Sequence, residues 1–262
     1  MAKFCPLFSS SSGNSTYIGT SDTGILIDVG MNAKQMEIAL NDICVDPSSI
    51  KAIFLTHEHG DHIKGLRVFA SRYNISVFGT EGTIEQIENS DSFNGKYPLN
   101  VLDGDMEIGS LLVSHFSTPH DSRESCGYKI TLKNGQKIAI TTDLGIVTKE
   151  VEDAILGCET VMLESNHDIG MLENGDYPYF LKERILGLNG HLSNEACSEM
   201  ACKLVDSGTT RLFLGHLSKE NNIPALAFQT SYAALCEIGA KADVDYILKV
   251  AKPRWCEKAV II

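Results

Sequence analysis

The stretch Lys51-Ala-Ile-Phe-Leu-Thr-His57-Glu58-His59-Gly60-Asp61-His62 decides the reading of this chain. Residues 52–55 are an apolar run that reads as a buried strand. The run stops at Thr56. Six residues then hold three histidines and two acids, and Ile63, Leu66, Val68 and Phe69 continue at helical spacing. A strand, a polar turn and a helix place the turn at the carboxyl end of a strand, where open α/β sheets build their sites. Imidazole and carboxylate together form a ligand set for zinc, manganese or iron. A solvated turn would account for one histidine, but not for His-x-His-x-Asp-His directly after a buried strand.

Upstream, residues 4–8 and 15–20 read as strands. Between them lies Ser9-Ser-Ser-Ser-Gly13-Asn14. Two readings fit this loop: a hairpin turn, or a nest of N–H groups and hydroxyls facing an anion, with Ser12 and Asn14 as substrate contacts. It is not a Walker loop, because no Gly-Lys-Ser/Thr follows. Gly24-Ile-Leu-Ile-Asp28-Val-Gly30 reads as a strand ending in an acid and a glycine. A helix is expected over 33–43, a second over 61–73, a strand over 75–78 and helical structure over 81–89.

Downstream, alternation predicts strands over 111–116 and 128–132, and Asn134-Gly135 signals a hairpin into 137–141. A helix over 147–156 and a strand over 160–163 follow. Helices are expected over 179–186 and 193–205, the second capped by Ser193 with Glu195 and Glu199 near its positive end. A strand over 211–214, a helix over 223–238 and strands over 246–250 and 259–262 close the chain. Periodicity alone yields α/β with much antiparallel sheet. No internal repeat, linker or domain boundary shows, so one domain over 1–262 is expected.

The 262 residues can bury a sizeable core. Hydrophobic residues make up 43% and charged residues 21%, as in ordinary soluble proteins. No apolar run approaches the roughly 20 residues of a membrane span. The start, Met1-Ala-Lys-Phe-Cys-Pro-Leu-Phe, has no signal-peptide pattern, so a cytoplasmic protein with no membrane partner is expected. The net charge of −12 excludes broad coating of a nucleic-acid duplex. Any nucleic-acid contact must be local, and the charge favours a small substrate. The eight cysteines form no Cys-x-x-Cys pair and read as buried small hydrophobes; Cys126 is left open. The sequence does not set the oligomeric state.

Further imidazole and carboxylate side chains stand at the ends of later strands and could join the central turn. His120 and Asp121 follow the strand over 111–116. Asp143 follows the strand over 137–141, and His216 follows that over 211–214. His115 is a rival to His120, which is preferred because it follows the strand and precedes an acid. His167 reads as a substrate contact or a capped surface histidine.

The His57–His62 stretch resembles the signature of the metallo-β-lactamase superfamily. Glu164-Ser-Asn-His-Asp168, Gly190-His191-Leu-Ser193-Asn194-Glu195, Gly215-His216-Leu-Ser-Lys219-Glu-Asn-Asn222 and the Ser-Ser-Gly-Asn-Ser loop resemble the YycJ (WalJ) family within it. The likeness runs over nearly the whole chain. It implies an α/β fold, the αββα sandwich of the metallo-β-lactamase type. It implies two divalent ions (Zn, Mn or Fe), one on His57, His59 and His120, the other on Asp61, His62 and His216, with Asp143 bridging. Asp28 would orient a ligand by a hydrogen bond. Asp61, Glu164 and His191 would serve catalysis, and Ser193 and Asn194 would join Ser12 and Asn14 in binding substrate.

The activity implied is a dimetal phosphodiesterase on DNA, a 5′→3′ exonuclease using a metal-bridging hydroxide as nucleophile. The alternative is hydrolysis of a small thioester, lactone or cyclic phosphodiester on the same site. A diiron oxidoreductase is disfavoured because His59 stands where that scaffold usually has an acid.

Overall fold

The computed structural model describes residues 2–255 and 258–262, so Cys256 lies outside the described residues. In chain order the elements are β1 (Lys3–Phe8), β2 (Ser15–Gly19), β3 (Gly24–Ile27), α1 (Ala33–Asp42), β4 (Ile50–Phe54), α2 (Gly60–Ile63), α3 (Leu66–Tyr73), β5 (Ser76–Gly79), α4 (Glu81–Glu88) and β6 (Leu99–Val101). Then come β7 (Met106–Ile108), β8 (Leu111–Ser117), β9 (Cys126–Leu132), β10 (Lys137–Thr141), α5 (Lys149–Ile155), β11 (Thr160–Glu164), α6 (Ile169–Asn174), α7 (Tyr179–Leu186), α8 (Asn194–Asp206), β12 (Arg211–Gly215), α9 (Pro224–Glu237), β13 (Ile247–Val250) and β14 (Val260–Ile261). The strands form two seven-stranded sheets, ordered β14-β1-β2-β3-β4-β5-β6 and β13-β12-β11-β10-β9-β8-β7.

The chain divides into two compact units. The first is Met1–Ser114, Ser122–Cys126 and Lys252–Ile262; the second is His115–Asp121 and Gly127–Ala251. In the first, β3, β4 and β5 run parallel. β3 is wholly buried, which is why it reads as a continuous apolar run rather than an alternating one. Asn32 starts α1 by accepting a hydrogen bond from Gln35 N at 3.1 Å.

The helix expected over 61–73 is instead two pieces, α2 and α3. Gly65 makes the break. Its N–H donates to Val29 O at 2.9 Å, and a Cβ there would lie 2.0 Å from Met31 O. The segment leaving β3 therefore runs against this turn. At Gly30 a Cβ would meet Asp61 O at 1.8 Å, so only glycine permits the approach from either side.

In the second unit β10, β11, β12 and β13 are parallel, and β9 pairs antiparallel with β10 across the expected hairpin. Val161, Leu163, Leu212 and Leu214 pack under α5 and α8 through Val151, Ile155, Cys197, Ala201 and Leu204. Thr148 and Ser193 cap those two helices, accepting from Val151 N and Ala196 N. Helix α6 is absent from the sequence reading. Asp168 caps it by accepting from Met171 N at 2.7 Å, but Gly170 in its first turn hides the pattern.

Candidate metal centre

Strand ends deliver the candidate side chains, and each unit carries its own cluster. In the first unit Asp28 stands just beyond β3. Its Oδ1 accepts Thr56 N at 2.9 Å; its Oδ2 accepts Thr56 Oγ1 at 2.9 Å and His62 Nδ1 at 2.8 Å. The Thr56 hydroxyl also lies 3.0 Å from His57 Nδ1. His57 and His62 are fully buried, with ring centroids 4.1 Å apart, and the half-buried His59 ring is 4.5 Å from that of His57. Asn14 is buried beside them. Its Nδ2 lies 3.2 Å from Asp61 Oδ2 and 3.1 Å from His62 Nε2.

Main-chain bonds lace these loops together. Asn14 N donates to Asp61 O, Gly30 N to Asn14 O, and Val29 N to His62 O, each at 2.8 Å. Ser12 is different: it is exposed in the turn, with its N–H on Ser10 Oγ at 3.2 Å.

In the second unit Glu164, the last residue of β11, is fully buried. Its Oε1 takes His216 Nδ1 at 2.7 Å and His191 Nδ1 at 2.9 Å, while Oε2 accepts Leu144 N at 2.9 Å and Leu192 N at 3.2 Å. Asp143 Oδ1 stands 3.2 Å from His216 Nδ1, 3.7 Å from His191 Nδ1 and 3.8 Å from His120 Nε2. One ligand atom from each of Asp143, Glu164, His191 and His216 falls within 4.8 Å of the others. His120 is buried, with Nδ1 on Gly190 O at 3.1 Å; its rival His115 is half-buried within β8.

Burial pushes the Glu164 carboxyl up, but the charge of His191 and the hydrogen bonds from His191 and His216 outweigh it and hold the group low. Burial pulls His191 down, and the charge and hydrogen bond of Glu164 reverse that, leaving it raised. His120 is lowered by burial, against the pull of Asp143.

The donor set fits divalent metal. A carboxylate or carbonyl oxygen can only accept, so the ring nitrogen facing it carries the proton. His62 is held at Nδ1 by Asp28, His120 by Gly190 and His216 by Glu164. In each the Nε2 is left as the basic nitrogen, which is how ligating histidines are oriented by their outer partners. His57, with Nδ1 on a hydroxyl that already donates to Asp28, follows the same scheme.

Three of these residues sit in left-handed backbone: Asp28 (φ 63°), Asp143 (φ 60°) and His216 (φ 54°). The other such non-glycine residues described are Cys44, Asn74 and Asp243. Each costs of order 1 kcal/mol and persists only where surroundings impose it. Around His216 they do. Asn166 Nδ2 donates to His216 O at 2.9 Å, and Asn222 Nδ2 donates to Ser165 O at 2.9 Å and Asn166 O at 3.0 Å.

Asn194 belongs to this same lattice rather than to a surface open to substrate. It is fully buried, accepting from Ser165 Oγ at 2.6 Å and sharing its amide with Asn222. Ser193 is half-buried and caps α8. His167, read as a substrate contact or surface histidine, is instead buried, and neither ring nitrogen has a hydrogen-bond partner among the described residues. Cys126 is buried, its thiol on Leu55 O at 3.8 Å. Local sequence marks no role for Thr56 or Asn222. Asn222 ends the stretch Gly215–Asn222, but nothing local marks a buried amide.

A model of the beta-lactamase superfamily domain matches residues 23–217, a span that contains every candidate ligand. The fold is correspondingly like that of the metallo-β-lactamase fold protein YhfI from Bacillus subtilis, with a TM-score of 0.72 at 14% identity over 97% of this chain and 98% of that one. The expected αββα class holds on both findings. Exodeoxyribonuclease WalJ from Streptococcus pneumoniae is 34% identical over 93% of this chain and 92% of its own length. Exodeoxyribonuclease YycJ from Bacillus anthracis is 34% identical over 90% of each. The chain belongs to this WalJ/YycJ family of the β-lactamase superfamily. No helix among the described residues is long and apolar enough to cross a membrane.

Proposed function

We propose that this protein is a cytoplasmic dimetal phosphodiesterase that removes nucleotides from the 5′ end of DNA, with residues 1–262 forming one metallo-β-lactamase-like domain. The observation that carries the reading is the fixed tautomer of the histidines: Nδ1 of His62, His120 and His216 is committed to oxygen, leaving Nε2 for metal. The WalJ and YycJ relatives, each named an exodeoxyribonuclease, supply the substrate class.

By family resemblance His57, His59 and His120 would hold one ion and Asp61, His62 and His216 the other, with Asp143 as a further ligand. When bound, two such ions polarise a phosphodiester and provide hydroxide near neutral pH. The protein's own residues do the rest. Asp28 and Thr56 fix the rings of His62 and His57, and Asn14 steadies Asp61.

Breaking the P–O3′ bond expels a sugar alkoxide, a poor leaving group that needs a proton. His191 is the donor. Glu164 holds its Nδ1, which leaves Nε2 to carry the transferable proton, and the neighbouring carboxylate favours the charged imidazolium. The cleaved nucleotide then leaves with a 3′ hydroxyl and a 5′ phosphate.

Chelation tests the reading. Stripped protein should lose hydrolysis of a DNA oligonucleotide and recover it with zinc, manganese or iron(II). Full activity in chelator, or rapid turnover of a small thioester with none of DNA, would overturn it.

A further inference from the structure

We infer that Tyr179 and Phe180, at the start of α7, form a base-stacking platform for an unpaired stretch of the substrate strand. The inference rests on the proposed DNA reading and addresses its main difficulty. The chain carries 34 acidic against 22 basic residues. Neutralising many phosphates is therefore not open to it, and affinity for DNA must come from elsewhere. Stacking of bases on aromatic rings is sequence-tolerant and needs no positive charge.

Tyr179 is 77% and Phe180 73% exposed, and Leu188, just past the helix, is 70% exposed. Two adjacent aromatics left this open are uncommon on a protein surface without a partner. The rest of α7 is anchored: Ile185 is buried, and Lys182 and Arg184 both bond within the protein. Rings carried on an anchored helix need little backbone ordering on binding, which suits a platform.

The helix is tied to the proposed machinery of its own unit. Arg184 pairs with Asp121, the neighbour of His120, with Nη2 3.0 Å from Oδ1. His191 N donates to Ile185 O at 3.0 Å, and Gly190 O receives His120 Nδ1. Lys182 donates to Glu173 O at 2.8 Å. Both cations of α7 are thus engaged within the protein, and what the helix offers outward is aromatic rather than basic. That distinguishes a stacking surface from a phosphate groove.

The test is direct binding of fluorescein-labelled oligothymidylate, made hydrolysis-resistant with phosphorothioate linkages, to the metal-loaded protein by fluorescence anisotropy. Tyr179→Ala/Phe180→Ala should weaken Kd roughly 30-fold or more and raise KM on a cleavable strand, with little loss in kcat. Tyr179→Phe/Phe180→Tyr should restore binding. An abasic oligonucleotide should bind the unaltered protein as weakly as the double-alanine variant binds the normal strand. Val244→Ala, which removes an equally exposed apolar residue elsewhere, should change nothing.

Equal Kd and KM for the double-alanine variant and the unaltered protein would overturn the platform. So would a variant whose only change is conversion of a dimer to a monomer, which would assign the patch to a second copy of the chain. Tight, abasic-sensitive binding without cleavage would keep the platform and remove the exonuclease reading instead.

Discussion

Glu164 Oε1 lies 2.7 Å from His216 Nδ1, and both residues are buried. The same oxygen takes His191 Nδ1 at 2.9 Å, so one carboxylate sets the tautomers of a proposed metal ligand and of the proposed acid. Its other oxygen accepts the main chain at Leu144 and Leu192. Replacing Glu164 with Gln keeps the shape but forces an amide N–H toward groups that are all donors. Metal affinity should fall by 10–100-fold, the usual cost of losing an outer partner. Stability should fall by roughly 1–3 kcal/mol. Elemental analysis against chelator concentration, with denaturant unfolding of the stripped protein, checks both; unchanged metal retention would break the link between Glu164 and His216.

The proposed ligands His59 and Asp61 give a plainer prediction. His59→Ala or Asp61→Ala removes a residue that is only half-buried and lies outside the core. Each variant should lose bound metal and hydrolysis while its circular dichroism stays that of the unaltered protein. A variant that retains about two ions per chain would strike these residues from the set.

His191 is tested by changing the leaving group. His191→Ala should slow release of nucleotides from DNA by a factor of order 10²–10⁴. With p-nitrophenolate, which departs without a proton, most of that loss should vanish. Equal losses on both substrates would make His191 a binding or positioning residue.

His167 predicts a pH effect on folding. Burial holds it down to about 4 from an ordinary 6.5. The unfolded chain therefore takes up a proton below pH 6.5 that the folded chain refuses until about 4. The neutral ring costs the fold nothing above 6.5, and stability drains as the pH drops from 6.5 toward 4. Linkage puts the loss at up to roughly 3 kcal/mol. Denaturant unfolding of His167→Gln should show that share of the acid slope removed; an identical slope would mean that other groups set it.

Much of this was legible in the sequence because the candidate ligands cluster where strands end. His57, His59, Asp61 and His62 share one turn, and His120, Asp143 and His216 each follow a strand marked by its apolar run. Asp28 showed itself in the same way, as an acid closing β3. What could not be read depends on contacts distant in sequence. Asn194 has the look of a helix-start residue open to solvent, and only Ser165 and Asn222, brought in from other segments, make it a buried strut. Thr56 reads as the stop of a strand, yet its hydroxyl serves Asp28 and His57 at once. The split between α2 and α3 has no local cause either, since Gly65 is demanded by the chain leaving β3. The left-handed backbone of Asp143 and His216 is likewise invisible in residue types that tolerate but do not announce it.

The proposal that this acidic chain hydrolyses DNA from the 5′ end is open to a direct test. The most direct measurement is incubation of manganese-loaded protein with otherwise identical strands carrying a label at the 5′ or the 3′ terminus, with the products resolved over time. A 5′→3′ exonuclease should release 5′ label at once as a mononucleotide bearing a 5′ phosphate, while 3′ label stays in shortening strands. Label released first from the 3′ end, internal fragments from the outset, or no release from either strand would contradict it.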